Sequence, residues 1–267
     1  MTQETSYLTV FQESIYYQLL ERHKSKLELL SMRKNETPQK KVRLLFSLGV
    51  SYIDLAIGEI VIHCNIKEAK KCFYLSAKCQ QVGLLAFEKY PVEVSESYVS
   101  IRNYRQLMCA LISDHTEFIQ EFAQQIGGRA KIDREHAHPF DRHVGYAVKW
   151  LVLGEDDQVM PHIEKLRKMG TGKPVNQYSI YANLLQALVD NNQAGIQVEL
   201  ERLLKSHRRN RYNKNSPEEI FCIPAAAFAK IALMRGMQVE IDDPLCPKEV
   251  LERHEIEYPV VPELDVV

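Results

Sequence analysis

Thr37–Cys64 reads TPQKKVRLLFSLGVSYIDLAIGEIVIHC. Its residues Val42, Leu45, Phe46, Val50, Ile53, Ala56, Ile57, Ile60 and Val61 recur at three and four positions, with Gly49 and Gly58 on the same side. That spacing lays them on one broad face of an α-helix, which places the stretch centrally in a helical fold. The two glycines would allow close helix contacts. Thr37 can cap free amides, and Pro38 suits the first helical position because that position needs no donor.

The same periodicity continues on both sides of this helix, and runs of strict alternation are almost absent, so the expected fold class is all-α. Upstream, a peripheral helix is expected over about Tyr7–Leu30, ending in the polar run Arg33–Glu36. Downstream, Asn65 with Glu68 reads as a capping box opening a helix that stops before Pro91. Ser95 is read as the cap of a helix carrying Val99, Tyr104, Leu107 and Leu111, and Asp114 with Glu117 as the start of the next, closed by Gly127 and Gly128.

Arg129–Pro139 is polar and histidine-rich, and it is taken as the boundary between an N-terminal helical bundle, residues 1–130, and a C-terminal array, residues 131–254. In that array, Phe140–Leu153 and Asp156–Met169 join at Gly154, and Tyr178–Val189 opens another antiparallel hairpin. The arrangement resembles tetratricopeptide stacking without a clear repeat, and the same pattern suits a closed bundle. Ser216, Pro217 and Glu219 read as the start of a helix running to Arg235, bent or restarted at Pro224 and capped by Gly236. Val239–Pro244 should be extended and Pro247–Arg253 a last short helix. An acidic tail, residues 255–267, has little reason to be regular.

Lys and Arg total 34 against 35 Asp and Glu. A balanced charge provides no global field toward nucleic acid or an anionic membrane, so neither is expected as a partner. The N-terminus MTQETSYLTVFQES lacks a basic flank and an apolar run, and Val50–Ile62 and Ile223–Met234 are interrupted by charges and short for a bilayer. A cytoplasmic location is therefore expected. The cysteines at 64, 72, 79, 109, 222 and 246 lack the spacing of a zinc or redox motif and are read as buried reduced thiols.

Among chemical constellations, His136, His138, Asp141 and His143 offer metal-ligand types, but not at the i, i+4 spacing of a helical zinc site. The plainer reading is a polar connection in which His138 or Asp141 caps the next helix. Gly170, Thr171, Gly172, Lys173 and Pro174 superficially resemble a phosphate loop, yet the longer glycine spacing, the Ser or Thr after Lys and the preceding strand are missing. Lys205, Arg208, Arg209, Arg211 and Lys214 surround Tyr212, a pattern able to grip phosphates but more simply a solvated loop between helices. No nucleophile elbow, kinase or dinucleotide fingerprint occurs, so no catalytic residue and no cofactor is assigned.

SPEEIFCIPAAAFAKIALMRGMQVEIDDPLCPKEVL, Ser216–Leu251, resembles the signature end of the immunity protein 49 family. The likeness lies in the Pro-Glu start, the Ala-rich helix with Pro224, the Gly236 cap, and Pro244 and Pro247 before Val250 and Leu251. Phe140–Leu204, with Trp150 and YSIYANLLQAL, is compatible with it. The resemblance implies a cytoplasmic antidote that blocks a cognate protein toxin, a nuclease being the first toxin class to consider, by stoichiometric binding. Acidic groups would suit a toxin with a basic substrate channel, which nominates Glu155, Asp156, Asp157, Asp242 and Asp243 as toxin-facing. A homodimer is compatible with the sequence. The competing functions are a tetratricopeptide-like adaptor and a metal-dependent enzyme built on the His136–His143 cluster.

Overall fold

In a computed structural model, the described residues are 13–32, 36–171, 177–209, 216–241 and 243–264. They form the helices α1 (Glu13–Met32), α2 (Pro38–Val61), α3 (Ile66–Lys89), α4 (Tyr104–Ser113), α5 (Thr116–Gln125), α6 (Ala130–His136), α7 (Pro139–Leu153), α8 (Asp156–Gly170), α9 (Gln177–Val189), α10 (Gln193–Arg208), α11 (Ile223–Met234) and α12 (Lys248–Leu251). No strand occurs among the described residues, so the protein is all-α. The expected first turns at residues 7–12 and the run at 33–35 lie outside them.

The pair α2 and α3 forms the centre, burying Leu45, Leu48, Ile53, Ile57, Phe73 and Leu84. Gly58 lets Tyr16 of α1 lie directly on α2, since a Cβ there would sit 2.3 Å from the tyrosine ring. Helix α2 is long and apolar enough to cross a membrane, contrary to the sequence reading that weighed only Val50–Ile62. However, 67% of its most apolar window is buried inside the protein, as expected of a core helix. Asn65 caps α3 by accepting from Glu68 N at 3.3 Å.

Beyond Pro91 the local reading needs correction. Ser95 makes no side-chain cap, and residues 96–98 and 101–103 form 3-10 turns before α4 begins. Gln80 and Asn103 side chains both donate to Tyr98 O, and Ile101 N donates to Asp133, which holds this stretch outside an α-helix. Asp114 is not the cap of α5: it adopts φ +68° at the end of α4, and His115 Nδ1 accepts from Phe118 N instead. Asp114 turns inward to Lys70 and Lys230.

Arg129–Pro139 is likewise not plain connection. It contains α6, anchored by the buried Asp133, which accepts from Ile101 N, Arg129 N and Tyr146 OH. Helices α7 to α10 pack successively as neighbours, and α11 returns to pack on α4. The helix expected from Ser216 is a 3-10 turn over Pro217–Glu219. The α-helix restarts at Ile223 with Pro224 in its first turn, where no amide is needed. Gly154 and Gly236 take φ +75° and +79° at the ends of α7 and α11, the left-handed conformation that glycine adopts without strain.

The tail docks despite its irregular backbone. Tyr258 donates to Ser113 O and packs against Tyr74 and His115, and Leu264 is buried. One hydrophobic cluster runs continuously from Tyr16 to Leu264. The six cysteines are free; five are buried as expected, but Cys64 is exposed at the end of α2.

Candidate functional site

The acidic group at the start of α8 follows directly from the Gly154 turn, which reverses the chain through Glu155 N donating to Trp150 O at 2.9 Å. Carboxylates in a first helical turn face unpaired amides and the positive end of the helix dipole. Glu155 and Asp157 are exposed, with no ion pair among the described residues. Asp156 behaves differently. It grips Arg235 through both guanidinium nitrogens, and Arg235 also donates to Leu188 O at 3.1 Å, tying α8, α9 and α11 together. Asp243 receives Arg208 Nη2 at 2.5 Å and Leu245 N at 2.9 Å, closing the turn to Cys246. Asp242 lies outside the described residues. Of the five nominated carboxylates, therefore, Glu155 and Asp157 are the two seen free for a partner.

The histidine cluster does not assemble around one centre. His138 Nδ1 accepts from Phe140 N at 3.2 Å and so caps α7, the plainer of the two sequence readings. His136 faces Glu96 at 3.3 Å, and these two with Glu135 bring ligand atoms within 4.8 Å, a set different from the one proposed. Asp141 takes a long contact, 3.4 Å, from Tyr104 OH. His143 Nδ1 sits 3.0 Å from His162 Nδ1, and His162 stacks on Tyr146. Burial, reinforced by Arg142, pushes both of these imidazoles down to about 4. At neutral pH one ring therefore donates to the other, and neither carries charge.

Gly170 closes α8, while Gly172, Lys173 and Pro174 lie outside the described residues, as do Arg211, Tyr212 and Lys214. The remaining basic residues are not in a loop: Lys205 and Arg208 belong to α10, and Arg209 is its C-cap. Cations there complement the negative end of the helix dipole.

Sequence reasoning missed the groove they border. The beginning of α9, the end of α10 and the beginning of α11 meet around it, with Tyr178, Tyr181, Leu203 and Cys222 supplying an aromatic and apolar lining. Tyr178 and Tyr181 are braced edge-on by Phe140. Arg202, Lys205 and Arg209 stand exposed on the same groove. Arg202 is offset by Glu199 at 2.8 Å, whereas Lys205 and Arg209 meet no carboxylate among the described residues. His207 donates to Glu218 O at 2.7 Å, and its pKa is lowered by burial, so the free charge is that of Lys205 and Arg209. The tyrosines at i and i+3 opening a helix were the only sequence signal for this lining.

Residues 155–250 match the model of the immunity protein 49 family, the family the sequence resembles. Helices α8 to α11, Glu155, Asp157 and every groove residue named here fall within that region. No curated protein and no solved structure matches the chain.

Proposed function

With residues 155–250 as an immunity protein 49 region, we propose that this protein is a cytoplasmic antidote that neutralises a cognate protein toxin by stoichiometric binding rather than by turnover. The family match is the observation that carries this reading. A stable complex of ordinary size buries about 800 Å² on each partner. We read the toxin as a nuclease. The support is the pair Glu155 and Asp157, exposed at a helix start with no internal ion pair among the described residues, where a basic substrate channel would find its counter-charge.

The test is growth of a susceptible bacterium expressing the toxin domain encoded beside this protein, with and without the protein, followed by recovery of the pair. Rescue with co-purification supports the reading. Failure to rescue removes it, and rescue without a complex removes the binding mechanism.

A further inference from the structure

We propose that the groove formed by α9, α10 and α11 receives an acidic, extended segment of the partner toxin, with Lys205 and Arg209 meeting its carboxylates. This inference rests on the proposed function and names the contact through which it would operate.

Three observations point the same way. First, the hairpin geometry brings the start of α9 and the end of α10 to the same side, and α11 begins beside them. Two helix N-termini thus border the groove, each adding partial positive charge, while the negative C-terminal end of α10 is met by its own Lys205 and Arg209.

Second, the cations are sorted. Arg208 is held by Asp243 and Arg202 by Glu199, so their charge is offset within the fold. Lys205 and Arg209 meet no carboxylate among the described residues and stand beside the buried Tyr181, Leu203 and Cys222. Next to such a lining a charge-assisted hydrogen bond is less screened than on an open surface.

Third, tyrosines braced by Phe140 provide a rigid amphipathic wall of the kind that anchors peptide segments. A nucleic acid fits less well. Its backbone needs an extended cationic track, whereas among the described residues lining this groove only Lys205 and Arg209 are exposed cations without a carboxylate partner. Together with Glu155 and Asp157, the groove gives the matched region features of both signs, which would fix the docking register.

The experiment measures binding of the adjacent toxin domain to the intact protein and to K205E/R209E, K205Q/R209Q and a control, K131E/R134E, which makes the same charge change at exposed positions of α6. Urea unfolding confirms that each variant is folded. Kd is expected to rise by roughly 100-fold in K205E/R209E and by a smaller factor in the Gln variant, with the control unchanged. A ten-residue Glu-rich peptide should compete with the toxin. Unchanged affinity in both groove variants overturns the inference while leaving the immunity reading intact. Displacement by a 12-nucleotide RNA but not by the peptide overturns it in favour of a nucleic-acid site. If the unaltered protein fails to bind the toxin domain, the proposed function itself falls and the groove assignment with it.

Discussion

Lys230, in the Ala-rich helix α11, holds its ammonium 2.5 Å from the carboxylate of Asp114, which lies 116 residues earlier at the end of α4. Lys70 of α3 reaches the same carboxylate from the other side. The carbonyls of Leu251 and Glu252 join the shell, Lys230 donating to the former at 2.8 Å, and His254 Nδ1 lies 3.1 Å from the Lys70 ammonium. Two buried cations and one carboxylate thus join the central pair, the family-matched region and the start of the tail.

Removing that carboxylate should be severe. Asp114→Ala leaves two buried ammoniums with only carbonyls and the His254 ring nitrogen, and a loss of about 3–5 kcal/mol is expected, read as a lower urea midpoint at unchanged slope. A loss below about 1 kcal/mol would show that the node does not hold the halves together.

Lys70 also makes a pH prediction. Burial, with the neighbouring Lys230, lowers its pKa from 10.5 to about 8. Between those values the unfolded chain carries the extra proton, so this group's contribution to stability rises as pH increases through the window. The stability difference between the protein and Lys70→Met should therefore grow in the protein's favour from pH 8 to 10. A flat difference contradicts the assignment.

On the acid side, His143 and His162 are held near 4 against an ordinary 6.5. Their depressed folded values mean that stability is present above the unfolded pKa and is lost as pH falls from about 6.5 toward 4. His162→Asn should flatten the decline in melting temperature over that interval, and an unchanged decline would place its cause elsewhere.

Two glycines separate close packing from helix propensity. A Cβ on Gly145 would lie 2.9 Å from the backbone oxygen of Ile101, which cannot swing away. Gly145→Ala is expected to cost about 1–3 kcal/mol. At Gly83 the nearest atom is 3.6 Å away, so Gly83→Ala should be neutral or stabilise by up to about 1 kcal/mol. Equal effects in thermal unfolding would contradict the contrast.

The helical class was legible in the three-and-four spacing of Val42 to Val61, and individual stops were legible at Gly154 and Gly236, because backbone chirality acts locally. Asp114 was misread for a physical reason. Asp-x-x-Glu mimics a helix start, while its actual partners, Lys70 and Lys230, are brought to it only by tertiary packing. Asp133 shows the same limit: its polar neighbours suggested connection, and only the folded chain reveals three donors converging on a buried carboxylate. Among the nominated acidic residues, composition did not distinguish Asp156, committed to Arg235, from Glu155 beside it. The groove escaped notice because Tyr178, Lys205 and Cys222 come from three separate helix ends.

The most direct test of neutralisation by binding is titration of the purified protein into the adjacent toxin domain's own reaction. The account predicts that activity falls linearly and reaches zero at one equivalent, with a complex of one copy of each chain. Complete inhibition far below one equivalent would reveal turnover, and undiminished activity at excess would contradict the antidote role altogether.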